Sequence, residues 1–360
     1  MMWRQLSPVL ATLLALTIAP APSRGAELRL GGYGAAEHDL GAHDGTTSVE
    51  EWVYSVHCSD GTALFITYAY SSLWFLPDTA GVEVTVVAPG AEARTYGHRV
   101  GKAEVQSGSG DLAFGPRVRT SGLAPAAIHL HAESDWHDGV VVDVELAKPW
   151  PGFTVGDGLL ALGPAASEPV RVGVITPRAN ATVRLTQGGA PRLLSGVAWG
   201  IHTYSPALPS KLAKRRQTVV AHLGNRAVVA VAYQARGSEE GATAGFLAAV
   251  GRTAGEGAAQ PLARVAWPET LDQRGCLTPV RFLLEGAPSA SGAPLRLAGK
   301  RSSTEHVFAI TDPMRPLTRV AVAAVVGDPV FVRASSRVEW QGGGERLTGR
   351  AWHRVECADR

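Results

Sequence analysis

From Glu50 onward, apolar residues recur at every second position in short runs that end at glycine-bearing turns. Trp52, Tyr54 and Val56 alternate with other side chains, Ser59-Asp60-Gly61 interrupts them, and Ala63–Tyr70 resumes. A period of two puts alternate side chains on opposite faces of a strand, and a turn of this composition folds two such runs into a hairpin. Further strands are expected at Val82–Ala88, Ala126–Ala132 and Val140–Ala147, the last two flanking Asp138-Gly139, a strong hairpin signal. The stretch from Pro149 to Gly163 reads as loop, with short strands near Val170–Ile175 and Ala181–Gln187.

The second half repeats the manner of the first. Gln217–Leu223, Gly224-Asn225 and Ala227–Tyr233 make another strand, turn and strand. Strands are also expected at Thr243–Val250, Pro279–Leu284, His306–Thr311, Leu317–Val326 and Leu347–Val355. A shift of 163 positions lays Val56 on Val219, Gly61 on Gly224 and Tyr70 on Tyr233, the mark of a duplicated β unit. Only Pro209–Arg216 looks helical, with Ser210 placed to cap it. The chain has 41 Gly and 23 Pro but only 18% charged residues, so it has many turns and a large core. The expected architecture is all-β, two tandem domains at about 26–187 and 188–360 joined near Pro191.

Residues 1–25 have the form of a secretory signal: Arg4 precedes the apolar run Val9–Ala19, and Ala19, Ala21, Ser23 and Gly25 are small. Cleavage after Gly25 is expected, giving a periplasmic or secreted protein. It would remove Arg4 and Arg24 and no acid, so the formal charge falls from +2 to zero. A neutral chain lacks the footprint of a nucleic-acid binder, and no later apolar stretch is long enough to be an integral membrane helix. Of the three cysteines, Cys276 and Cys357 would close a long loop if bonded, while buried free thiols are the alternative.

Trp52, Tyr54, Phe65, Tyr68, Tyr70, Trp74 and Phe75 crowd one stretch. In a small barrel half of the wall positions face inward, so these rings either line a pocket or form plain core. His202 and Tyr204, two apart and near Trp199, share a strand face and are candidates to grip a headgroup or relay a proton. Proton chemistry on a hydrocarbon needs a carboxyl held protonated by burial; Glu51, Asp135 and Glu145 are the possible donors. His129-x-His131 lies on one strand face with Glu133, Asp135 and His137, which a polar outer face explains as well as a metal does, so no metal is assigned. Lys211–Arg216 is either a solvated turn or a place for a phosphate or sulfate headgroup, with Arg215 taken as its ligand contact. No phosphate loop, CxxC, HExxH or nucleophile elbow occurs, and no cofactor is expected.

The most specific stretch contains Pro151-Gly152-Phe153, Val155-Gly156-Asp157-Gly158, Gly163, Pro177-Arg178-Ala179, Ser195-Gly196, Gly200-Ile201-His202 and Pro209–Arg215, in that order. It resembles the survival factor 1 family of paired lipocalin-like proteins, within a superfamily that includes AttH-type proteins, carotenoid 1,2-hydratases and fungal Diels–Alderases. The resemblance implies two lipocalin-like β-barrels and a hydrophobic ligand, a lipid or isoprenoid. The first family is implicated in moving ceramide-type lipids; the enzymatic relatives hydrate or cyclise polyenes. Arg215-Arg216 stands where the first family has Arg-Trp, and His202 and Tyr204 are what remains of the hydratases' tyrosine, histidine and aspartate cluster, with no acid adjacent in sequence. The leading expectation is an exported carrier of a lipid or isoprenoid bound by Trp52, Tyr54, Phe65, Tyr68, Tyr70, Trp74, Trp199, His202, Tyr204 and Arg215. The alternative is a cofactor-free hydratase or cyclase, with His202, Tyr204, Glu51 and Asp135 as candidate catalytic residues.

Overall fold

A computed structural model describes residues 28–41, 47–73, 76–123, 127–135, 139–162, 169–189, 191–236, 243–288, 293–309, 312 and 328–358. The signal segment, Trp74, Phe75, Asp138 and the strand expected at Leu317–Val326 lie outside the described residues.

The described chain opens with β1 (Leu30–Gly32) and one turn of helix, α1 (Ala35–His38). A meander follows: β2 (Thr47–Cys58), β3 (Ala63–Leu73), β4 (Leu76–Val87) and β5 (Arg94–Gly101). Past a 3-10 turn come β6 (Val105–Gly108), β7 (Asp111–Phe114), β8 (Val118–Ser121), β9 (Ala127–Ser134) and β10 (Val140–Ala147). The first unit ends with β11 (Phe153–Leu160), β12 (Val170–Gln187) and β13 (Arg192–Ser205). After α2 (Pro209–Leu212) come β14 (Ala213–Leu223), β15 (Arg226–Ala235), β16 (Thr243–Val250) and β17 (Gly257–Gln273). The last four strands are β18 (Cys276–Gly286), β19 (Arg296–Ala309), β20 (Val330–Gly342) and β21 (Glu345–Cys357).

β14–β21 form a closed barrel in chain order; the first sheet runs β5-β4-β3-β2-β13-β12-β10-β9-β8-β7-β6, with β11 on β12 and β1 on β11. Its ends curl toward each other, and Ser134 on β9 donates a hydrogen bond to the Gly97 carbonyl on β5 (2.6 Å). The result is two tandem barrels, the first nearly closed. In each, the first strand of the aligned hairpin pairs with the last strand of its unit: β2 with β13, β14 with β21. The hairpins related by the shift of 163 therefore hold equivalent places.

Two expectations are corrected. The supposed loop after Pro149 contains β11, whose Gly156 and Gly158 have φ of 65° and 80° and accommodate a bulge between Thr154 and Leu159. The helix at Pro209–Arg216 stops at Leu212, because Ala213 already pairs with Ala235 of β15. β12 and β13, on either side of residues 188–191, pair antiparallel in one sheet, and the closed barrel begins with β14 at Ala213.

Barrel 1 is filled by its own rings. Trp52, Tyr54, Tyr68, Tyr70, Tyr96 and Phe114 are all fully buried, and Tyr54–Tyr68, Tyr68–Phe114 and Trp52–Phe114 meet edge to face at 6.0–6.4 Å. Barrel 2 packs smaller residues, Val219, Ala221, Val228, Ala230, Leu247 and Leu284, around Phe282 and Trp340. Cys276 and Cys357 are bonded across one end of it, and Cys58 is a buried free thiol. Among the described residues no helix is long and apolar enough to cross a membrane.

Candidate functional site at the seam between the barrels

Alternation decides what meets between the barrels. With Trp52, Tyr54, Tyr68 and Val82 turned into barrel 1, the intervening Glu51, Val53, Ser55, His57, Phe65 and Glu83 face outward. In barrel 2, Val219, Ala221 and Ala351 point inward, leaving Arg216, Trp352, Arg354 and Glu356 outside. These two outer faces pack together. One part of the seam is apolar: Phe153, Val155, Val172, Val174, Trp199 and Ile201 against Val220, Val229, Val231 and Phe246.

The other part is ionic. Arg216 bridges Glu51 (2.9 Å) and Glu356 (3.0 Å), and Arg354 faces the same two carboxylates at 3.5 and 3.8 Å. Burial alone would raise the Glu51 carboxyl, but Arg354 and Arg216 outweigh it and hold it at about 2. Such a quartet survives burial because each charge has partners.

Next to it the balance changes. Arg333 lies over the faces of Phe65 (4.2 Å) and Phe308 (4.9 Å), and burial lowers its guanidinium to about 9. Burial likewise raises the Glu83 carboxyl. Glu305 sits in an irregularity of β19, between the pairs Thr304↔Ala334 and His306↔Arg333, with only 12% of its side chain exposed. Burial pushes its carboxyl up to about 7, more than Arg350 and Arg333 pull it down. His57 lies 4.0 Å away, stacked on Trp352 at 4.5 Å and kept neutral chiefly by burial. His57 Nε2, Trp352 Nε1 and Arg333 Nη1 are buried with no hydrogen-bond partner, which is unusual inside a protein and leaves polar atoms available around Glu305.

Two neighbours of Glu305, Ser335 and Arg350, line a groove of about 1070 Å³ on the outside of β18–β21, as Ser303 does. Arg350 reaches Glu305 at 3.9 Å, and Ser335 gives it a hydrogen bond. Along the groove Arg281, Lys300, Arg337 and Arg350 stand directly opposite one another on successive strands. Like charges in register repel. Glu269 answers Arg281 at 3.7 Å and Glu305 answers Arg350, whereas Lys300 and Arg337 have no ion-pair partner among the described residues.

Neither a family model nor a curated protein sequence matches the chain. Solved structures do match. A protein of Nitrosomonas europaea described as AttH superposes with a TM-score of 0.64 at 13% identity, over 89% of this chain and 95% of that one. The fold is that of AttH. CghA in complex with Sch210972 shares it, with a TM-score of 0.62 at 13% identity over 92% of this chain and 98% of that one. Kievitone hydratase from Nectria haematococca does so with a TM-score of 0.54 at 12% identity over 91% and 93%. At such identities the likeness carries the fold alone.

Within this AttH fold the residues anticipated from sequence scatter. Trp52, Tyr54, Tyr68 and Tyr70 are fully buried inside barrel 1. Phe65 and Trp199 instead face the seam. His202 points into barrel 1, stacked on Trp52 at 4.7 Å, and an acid distant in sequence lies beside it: Glu50 Oε1 is 2.7 Å from its Nε2. The Gly41 amide donates to the same carboxylate and Tyr33 bonds His38 nearby, so this cluster closes one end of the barrel. Tyr204 holds Arg171 against its ring at 5.5 Å. Asp135 pairs with Arg117 on the outer surface, and Glu145 lies with His129 and His131 in a polar trough of about 910 Å³ on the outside of barrel 1. His131 bonds Asp143 there (2.6 Å), and no group of three or more ligating side chains is placed for a metal among the described residues. Arg215 turns into the mouth of barrel 2, away from His202 and Tyr204. Only Glu51 of the candidate acids reaches the seam, as an ionised partner. Glu305, His57 and Glu83 were missed; the signal available was Glu305-His306 inside an otherwise alternating strand.

Proposed function

We propose that the protein is an enzyme of the hydratase or cyclase kind, acting on an unsaturated, largely apolar small molecule that carries an anionic group. The supporting observation is a buried carboxyl, Glu305, that touches two residues lining a wide groove, Ser335 and Arg350, and lies beside a neutral histidine stacked on an indole. Protonation of a carbon–carbon double bond transfers the Glu305 proton to one carbon and leaves a cation on the other. Water captures that cation in a hydratase and gives its proton back to Glu305 or His57. In a cyclase the π electrons of a second double bond form the new C–C bond, the positive charge moves to its far carbon, and an adjacent C–H returns a proton to the Glu305 carboxylate or His57. Either sequence is redox-neutral, so no cofactor is part of the proposal. Aromatic faces attract positive charge, as the buried guanidinium of Arg333 over Phe65 illustrates. The row Arg281, Lys300, Arg337 and Arg350 favours an anionic substituent, whose binding would relieve the repulsion between them. The fold shared with a protein named kievitone hydratase is consistent with this chemistry. The carrier reading is the weaker one, because a lumen ligand needs room that the rings of barrel 1 occupy. Export of the protein, from its N-terminal segment, remains part of the proposal.

The test is incubation of the purified protein with prenylated phenols and polyene carboxylic acids in water enriched in oxygen-18. Hydration adds the mass of labelled water; cyclisation changes retention at constant mass. Glu305→Gln should lose at least 100-fold of the rate. Equal turnover by Glu305→Gln, or a lipid recovered at one equivalent with no conversion of any probe, would return the argument to a carrier.

A further inference from the structure

The mouth of barrel 2 holds a second, smaller cavity, of about 230 Å³, lined by Arg215, Gln217, Ala232, Gln234, Val265 and Trp267 among others. Arg215 and Gln217 share the inward face of β14 with Val219 and Ala221, so both project into the barrel at its end. The Arg215 guanidinium lies over the Trp267 indole at 4.2 Å. Trp267 Nε1 donates to Gln217 Oε1 (3.0 Å), which turns the Gln217 amide so that its nitrogen has no partner. Gln217 is only 2% exposed, and Arg215 Nε is likewise buried and unpaired. No carboxylate lies within ion-pair distance of Arg215 among the described residues, and burial alone lowers its guanidinium.

From this we infer that the mouth of barrel 2 is a binding site for a small organic carboxylate. Two buried donors, one of them cationic, converge with no acceptor of their own; a buried donor left unmatched is costly, and a carboxylate satisfies both at once. The indole under the guanidinium and the walls of Ala232 and Val265 ask for an apolar, flat or short body behind the charge. A cavity this size takes a molecule smaller than most drug-like ligands. The site lies inside the barrel, apart from the outer groove and from Glu305, and does not depend on the activity proposed there.

Benzoate, hexanoate, benzamide and inorganic phosphate are the probes, followed by calorimetry and by the Trp267 indole N–H signal in nitrogen-15 NMR spectra. Benzoate and hexanoate should saturate and shift that signal, with benzamide and phosphate at least tenfold weaker. Gln217→Glu, which supplies Arg215 with an internal carboxylate, should abolish binding, as should Arg215→Gln. Benzamide binding as tightly as benzoate, unchanged affinity in Gln217→Glu, or no saturation by any carboxylate would each overturn the inference. Circular dichroism and melting of each variant separate lost binding from lost folding. Should Arg215→Gln fail to fold, Gln217→Glu decides.

Discussion

The inside of barrel 1 and the seam beside it are two faces of the same strands, with opposite solutions to burial. Trp52, Tyr54 and Tyr68 turn inward and solve it with packed rings. Glu51, His57 and Glu83, one residue over, turn outward and meet Arg216, Arg354 and Arg333 from the other barrel. The first arrangement is largely apolar, with the buried His38, Glu50 and His202 gathered at one end. The second keeps titratable groups dry, which is what moves their proton affinities apart. The chemistry we propose is therefore placed between the barrels rather than within the first of them.

That contrast breaks most visibly at Trp52. If its ring is core, Trp52→Ala should cost about 3–5 kcal/mol in urea unfolding, since it removes a fully buried indole, its stack on His202 and its hydrogen bond to the His38 carbonyl. A barrel kept open for a ligand would lose far less. Glu51→Gln comes next, at about 3 kcal/mol, because Arg216 and Arg354 lose one of two carboxylates while Glu356 still faces both. Its pH dependence has a definite sign. The Glu51 carboxyl is held below its unfolded value, so its contribution is present above about pH 4.5 and drains away as pH falls toward 2. The difference in midpoint between Glu51→Gln and the parent should therefore shrink through that window.

How much of this could be read from the chain alone follows the same division. The period of two around Trp52 and Tyr68 was enough to predict paired strands, because inward positions need consistent hydrophobicity. Val140–Ala147 and Thr243–Val250 have the bounds the pattern predicts. Linker-like composition near Pro191 does not say whether the strands on either side of it pair, and β12 and β13 do pair. The seam was illegible for another reason. Glu51 and Arg216 are far apart in sequence, and an outward acid looks the same whether it meets water or a second barrel. Glu305 lies at a register shift, where alternation no longer says which way a side chain points.

Glu305 gives the finest test of the contrast, since it should behave oppositely to Glu51 within the same seam. Its carboxyl is raised to about 7 in the folded protein against about 4.5 for an unperturbed glutamate. Between those values the folded state holds a proton that the unfolded state has released, so stability declines as pH climbs from about 4.5 to 7. Glu305→Gln is neutral throughout and escapes the decline. The variant should melt with the parent at pH 4 and above it at pH 8, by the equivalent of about 1–3 kcal/mol. Under the proposed chemistry the parent's turnover should fall over the same rise in pH as the proton is lost. A stability difference that stays flat from pH 4 to 8 would mean Glu305 is ionised like Glu51, and the seam would then hold paired charges with no acid to donate.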